Sequence, residues 1–104
     1  MIDEGLRKAV QTLAWEELQR ASKIHPPFAD PHHGYAVIKE EIEECENEMN
    51  ALNAQLNCMW NEIKNDAYKN SSRAKHIKLT AVQLALEAIQ VAAMAQKIMN
   101  MEGY

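Results

Sequence analysis

The residues best suited to chemistry lie between positions 40 and 48, where six of nine residues are glutamates. None of them is followed four residues later by Lys or Arg, the spacing that pairs opposite charges on a helix. At about 100° per residue, one arc of a helix would carry four of them: Glu40, Glu41, Glu44 and Glu48. Carboxylates crowded in this way repel one another unless a cation lies between them. Two interpretations are open, a water-facing run of charge or a divalent-cation site.

An apolar repeat runs through the same stretch and predicts one long helix from about residue 34 to 65. Its members alternate in steps of four and three, as on a helix that packs along a partner helix: Ile38, Ile42, Cys45, Met49, Leu52, Leu56, Met59 and Ile63. Asp30 followed by Pro31 is typical of an N-cap and a first helical position. We expect His32 and His33 to form hydrogen bonds around this helix start, since neither has a second His or Cys at zinc-site spacing.

Two further helices are predicted, one on each side of this helix in the chain. Residues 3–23 carry an apolar stripe at helical spacing: Leu6, Val10, Leu13, Ala14, Leu18 and Ala21. Trp15 falls off that stripe, and we expect it to pack on a neighbouring helix or subunit. The polar segment 65–72 predicts a loop. The last helix, from about 72 to 100, is apolar on two sides, which favours a position in the middle of a helical bundle.

One polar strip remains on this last helix, with a carboxylate at its centre: Thr80, Gln83, Glu87, Gln90 and Lys97. Burying a charge is unfavourable unless the charge is paired or bound to a metal. One interpretation pairs Glu87 with Lys97 or with an arginine of another helix. The other joins Glu87 to the glutamates of the middle helix, because facing helices of bundles supply inward carboxylates to cations. Oxygen-only ligands favour Mg²⁺ or Mn²⁺ over zinc.

Length and composition favour one all-α domain over residues 1–104. The chain is 47% hydrophobic with only three Gly and three Pro, a composition rich in helix formers. We expect an antiparallel helical bundle whose four-helix-type core is completed by oligomerisation, as a homodimer or a dimer of dimers. The net charge of -4 argues against a nucleic-acid partner.

The cysteines and the ends of the chain favour a cytoplasmic protein without a membrane partner. Cys45 and Cys58 would lie about 20 Å apart along one helix, too far for a disulfide bond. Two reduced thiols suit the cytoplasm. The N-terminus lacks the pattern of a signal peptide, and we expect no apolar run to approach the length of a membrane span.

The two acidic stretches, residues 33–44 and 85–95, resemble the motifs of the all-α nucleoside triphosphate pyrophosphatases. The resemblance is to the MazG-like group, and especially to its small phage- and prophage-associated members. The first motif is two adjacent glutamates and a third three residues later, matched by Glu40, Glu41 and Glu44. The second is Glu, two residues and Asp, matched by Glu87 with Gln90 in place of Asp.

This resemblance implies a Mg²⁺-dependent hydrolysis of nucleoside triphosphates to nucleoside monophosphate and pyrophosphate. It implies metal ligation by five residues: Glu40, Glu41, Glu44, Glu87 and Gln90. Glu41, Glu44 and Glu87 would take the catalytic role, and Lys97 would face the phosphates as a point charge. Gln90 can offer a carbonyl oxygen but no charge, so activity can be partly degenerate. The alternative is a non-catalytic helical interaction or structural module whose glutamates form a solvated face.

Overall fold

The computed structural model describes all 104 residues and contains three α-helices and no strand. Helix α1 spans Glu4–Ile24, α2 spans Pro31–Lys64 and α3 spans Arg73–Met99. The prediction of an all-α chain is confirmed. The predicted loop between the last two helices is also observed, because neither helix includes the polar residues between Lys64 and Arg73.

The start of α2 is fixed by the residues that the sequence indicated. Asp30 adopts an extended backbone, and its carboxylate accepts a hydrogen bond of 2.9 Å from the His33 backbone N–H. Pro31 occupies the first turn, where a missing N–H costs nothing. The His33 ring accepts a 3.2 Å hydrogen bond at Nδ1 from the Ala29 N–H, while His32 lies 3.8 Å from the Asp30 carboxylate. The predicted hydrogen bonding around the helix start is confirmed for His33, whereas His32 forms no hydrogen bond and is exposed.

Helices α2 and α3 form an antiparallel hairpin. The Gln55 amide donates a 2.9 Å hydrogen bond to the Thr80 hydroxyl. Nearer the connecting loop, the Arg73 guanidinium donates at 2.9 Å to the Glu62 carboxylate. Residue numbers therefore rise along α2 as they fall along α3. These two polar contacts set the rotation of α2 against its neighbour.

Because of that rotation, only half of the apolar repeat of α2 is covered by α3. The half-buried residues form two rows at seven-residue spacing: Cys45, Leu52 and Met59, and beside them Glu41, Glu48, Gln55 and Glu62. The other half of the repeat is exposed: Ile42, Met49, Leu56 and Ile63. The repeat predicts that Leu56 and Ile63 pack along a partner helix, but in the single chain they and the adjacent Trp60 are exposed. The row that begins with Glu41 thus faces α3, where the row that begins with Ile42 was expected.

The hydrophobic core lies at one end of the molecule, where the end of α1, the linker and the end of α3 meet. It consists of six buried residues: Leu18, Ala21, Phe28, Ala93, Met94 and Ile98. Gly34 in the first turn of α2 is also buried, because Ile98 leaves no room for a side chain there. No residue between Gly34 and Ala93 is buried. The rest of the hairpin is thus two helices without a third to cover them, in a molecule of 58 × 30 × 24 Å.

Helix α3 is the only helix that packs on both of the others, but Leu79, Val82 and Leu86 on it are exposed, so its position in the middle of a bundle stays a prediction. The expected packing of α1 is only partly observed. Leu18 and Ala21 are buried, but the stripe residues nearer the N-terminus are exposed: Leu6, Val10 and Leu13. Trp15 is also exposed, at 61%. The first half of α1 projects away from the core.

One expectation about membranes needs correction. Helix α3 is long and apolar enough, by length and composition, to cross a bilayer. The buried core helix of a helical bundle passes the same test, whereas only 11% of the apolar window of α3 is buried within the single chain. Helix α3 also carries Glu87 at its middle and packs on α1 and α2.

Candidate metal centre

Three carboxylates from two helices meet on one side of the α2–α3 hairpin. Glu41 and Glu44 are one turn apart on α2, and Glu87 reaches them from the middle of α3. One oxygen of each lies within 4.8 Å of the others. We call these three residues the acidic triad. Glu41 and Glu87 are half-buried and Glu44 is exposed, so the triad is open to solvent on one side.

No cation of the chain neutralises the acidic triad. Every ion pair of the molecule lies elsewhere, including Lys39 with Glu43 at 3.4 Å on the outer side of α2. Glu87 instead accepts a 2.8 Å hydrogen bond from the Gln83 amide one turn earlier. The interpretation that paired Glu87 with Lys97 or with an arginine is therefore wrong.

Crowding of the carboxylates raises two pKa values. The pKa of Glu44 is raised to about 7, first by its hydrogen bond to Glu87 and then by repulsion from Glu41 and Glu87. The pKa of Glu41 is raised chiefly by partial burial, and next by repulsion from Glu87. The Glu44 carboxyl therefore keeps its proton to a higher pH than an isolated glutamate does.

The remaining residues of the two motifs lie around the triad without joining it. Glu40 is exposed and affects the triad only by its charge. Gln90 is half-buried, and its Nε2 donates a 2.7 Å hydrogen bond to the Glu17 carboxylate of α1. Lys97 donates at 2.9 Å to the Pro26 carbonyl. Its ammonium also lies 4.3 Å from the ring centre of Phe28, a favourable cation–π geometry.

Glu17 is the residue near the site that sequence reasoning missed. Its side chain is only 16% exposed, and it is held by Arg20 one turn later and by Gln90. The hydrogen bond from Arg20 is the largest cause that lowers the pKa of Glu17. A signal was present, because Glu17 falls three residues after Ala14 and four before Ala21, within the apolar stripe of α1. A carboxylate within an apolar stripe indicates a polar contact with another helix.

A cavity of about 300 Å³ adjoins the triad and contains Glu41 in its wall. Its wall combines apolar residues with several groups that are cationic or can become so: Arg20, His25, His33 and Lys97. Gln90 lines the same cavity. Acidic oxygens at one edge and cationic groups along the wall suit a ligand that carries negative charge and binds together with a cation.

Comparison with known proteins gives no match to a protein-family model, to a curated protein or to a solved structure. The interpretation of the site therefore depends on the geometry of the residues themselves.

Proposed function

We propose that this chain is a Mg²⁺-dependent nucleoside triphosphate pyrophosphatase-like protein, which hydrolyses NTP or dNTP to the monophosphate and pyrophosphate. The observation that carries the proposal is the acidic triad, three carboxylates from α2 and α3 within 4.8 Å and without a cationic partner. The resemblance of the same residues to the MazG-like motifs supports it. Gln90 in place of Asp makes partly degenerate activity part of the proposal.

The donor set fits a hard divalent cation. Glu41, Glu44 and Glu87 supply only carboxylate oxygens, the ligands that Mg²⁺ and Mn²⁺ prefer. The hydrogen bond from Gln90 to Glu17 uses the amide nitrogen, so the carbonyl oxygen of Gln90 remains as a neutral donor. When bound, the ion would neutralise phosphate charge and lower the pKa of a coordinated water.

Protein groups around the triad have separate roles in this proposal. Glu44 is the exposed member of the triad, so water can reach the cation that it would hold together with Glu41 and Glu87. The cavity that adjoins Glu41 takes the nucleotide, and Arg20 and Lys97 in its wall offset phosphate charge. Lys97 is held by Pro26 and Phe28, so its charge is fixed in the wall rather than mobile.

The proposal extends to assembly and location. The α2–α3 hairpin supplies two helices, so a four-helix-type core requires another hairpin. A homodimer or a dimer of dimers provides it. The cytoplasm, with its millimolar Mg²⁺ and reduced thiols, suits both the metal site and the free Cys45 and Cys58.

The direct test is turnover. Purified protein is incubated with each common NTP and dNTP, with Mg²⁺ or with EDTA, and released pyrophosphate is measured. We expect Mg²⁺-dependent release with at least one nucleotide, reduced about 100-fold or more in Glu44→Gln. Glu46→Gln removes the same charge from an exposed site of the same helix and should leave turnover unchanged. Equal loss in both variants, or release that persists in EDTA, would contradict the proposal.

A second candidate is a helical interaction module without catalysis. The exposed apolar residues of all three helices favour it. In this case the glutamates are a solvated face, so Glu41→Gln and Glu87→Gln should alter neither Mg²⁺ affinity nor the melting temperature in Mg²⁺. A rise in melting temperature with Mg²⁺ that either substitution abolishes would exclude this candidate.

A further inference from the structure

A row of exposed apolar side chains follows one side of α2 for most of its length. Its members recur every seven residues and are each between 41% and 57% exposed: Ile42, Met49, Leu56 and Ile63. Exposed apolar residues are common singly, but a contiguous set marks an interaction surface. Heptad spacing is the spacing at which one helix packs lengthwise on another.

Helix α3 presents a row of alanines to the same side. In α2 the exposed row follows by one residue the row Glu41, Glu48, Gln55 and Glu62 that α3 covers. In α3 the residues one position after the half-buried Arg73, Thr80 and Glu87 are exposed alanines: Ala74, Ala81 and Ala88. Two antiparallel helices are related by a twofold axis perpendicular to the plane that contains them. Residues that come one position after the contact residues therefore lie on the same side of that plane in both helices, so both rows are on one side of the hairpin. Large side chains on α2 thus lie beside small ones on α3. We call these two rows together the open face.

Helix α1 leaves the open face uncovered. Glu17 on α1 accepts a hydrogen bond from Gln90 of α3. Pro26, in the linker that follows α1, accepts one from Lys97, which comes one position before Ile98, the residue that meets Gly34 of α2. The residues of the open face come one position after the α2–α3 contact residues, whereas Lys97 comes one position before, so α1 lies on the other side of the hairpin. No part of the chain packs on the open face.

The single chain exposes more surface to solvent than a compact monomer of its mass does. Its accessible surface is 7901 Å², whereas a compact monomer of the same mass exposes about 5,900 Å². The difference is about 2,000 Å², and a standard interface removes about 800 Å² from each partner. The excess is therefore enough for one large interface of the kind that permanent homodimers form.

We propose that the open face binds the open face of a second copy of this chain across a twofold axis. Self-association pairs the protruding row of one copy with the alanine row of the other, as knobs fit into the spaces between small residues. An anionic lipid surface fits less well, because Glu43 and Glu46 flank the row and the chain carries a net charge of -4. The inference deepens the four-helix core proposed above and is independent of the nucleotide chemistry, since self-association is measured without metal or nucleotide.

The test is the molar mass of the full chain by sedimentation equilibrium. We expect twice the 11.8 kDa of one chain for the wild type. Leu56→Glu places a charge at the centre of the open face and should weaken association about 100-fold or more. Leu6→Glu is the matched control, because Leu6 on α1 is 59% exposed and Leu56 is 57% exposed; it should remain dimeric. A monomeric wild type, or loss of the dimer in Leu6→Glu with retention in Leu56→Glu, would overturn the proposal.

A second measurement covers the case in which the Leu56→Glu chain does not fold alone. The melting temperature of the wild type should rise with protein concentration, because dissociation is coupled to unfolding in such a dimer. A melting temperature independent of concentration from about 1 to 100 μM would overturn the proposal. Flotation with vesicles of phosphatidylcholine and phosphatidylserine in equal parts tests the competing occupant. Binding of a monomeric wild type that Leu56→Glu abolishes would assign the face to lipid instead.

Discussion

The side-chain amide of Gln90 on α3 donates a 2.7 Å hydrogen bond to the carboxylate of Glu17 on α1. Gln90 stands where the motif that the sequence resembles has an aspartate. An aspartate at this position would repel Glu17, whereas the amide binds it. Gln90 therefore adds no charge beside the acidic triad and joins α1 to α3.

The Gln90→Ala variant should be less stable than the wild type by about 1–2 kcal/mol, because a hydrogen bond to a charged group is lost and Glu17 keeps only Arg20. Chemical denaturation in EDTA measures this difference. Gln96→Ala is the control, since the Gln96 amide bonds only to Asn100 on the exposed side of the same helix. Equal stability of the Gln90→Ala variant and the control would show that the contact does not hold α1 in place.

Gly34→Ala should destabilise the protein by about 1–3 kcal/mol through overpacking. A Cβ at this position would lie 2.6 Å from Cδ1 of Ile98, which belongs to the buried core, and 3.1 Å from Phe28. Ile98→Ala removes both Cδ1 and Cγ1, which would lie 2.6 and 2.7 Å from that Cβ, so the double variant should be more stable than the sum of the two single effects predicts. Thermal melts of the four proteins measure the coupling. Strict additivity would mean that Gly34 and Ile98 do not meet as described.

Without metal, stability should fall as the pH rises from 5 to 8. The pKa of Glu44 is about 7 in the folded chain and 4.5 ordinarily. The folded state thus binds the proton more tightly, and the stability that this proton confers is present below pH 4.5 and lost as the pH rises through 7. Glu41, whose pKa is also raised, acts in the same direction. Melting temperatures in EDTA at pH 5 and pH 8 test this.

Glu87→Gln should flatten that pH dependence, because it removes the hydrogen-bonded carboxylate that is the main cause of the raised pKa of Glu44. Mg²⁺ should also flatten it, since a bound cation replaces the proton. An unchanged slope in Glu87→Gln would assign the pH dependence to groups outside the triad.

The three helices were accessible from the sequence, because they follow from local periodicity and capping. The meeting of Glu87 with Glu41 and Glu44 was only one of two interpretations of the polar strip on the last helix. Asp30 and Pro31 mark the start of α2, and the polar segment after Lys64 marks the break between α2 and α3. Such signals depend on neighbours along the chain, so they can be read without knowing the packing.

The rotation of α2 against α3 was not accessible in the same way. A change of one residue decides whether the row of Glu48 and Gln55 or the row of Met49 and Leu56 faces α3. Hydrophobicity favours the second, but the contacts of Gln55 with Thr80 and Glu62 with Arg73 produce the first. Those contacts join residues far apart in the chain. Composition could not reveal that the row of Met49 and Leu56 is exposed on the single chain.

The central claim, that carboxylates of α2 and α3 share one cation, is tested most directly by Mn²⁺ binding measured by electron paramagnetic resonance. Free Mn²⁺ is titrated against the wild type, Glu44→Gln, Glu87→Gln and the control Glu46→Gln. We predict that each triad substitution weakens affinity at least about tenfold, since even outer-shell groups contribute that much, and that Glu46→Gln does not. Equal affinity in all four proteins, or the absence of binding by the wild type, would contradict the account.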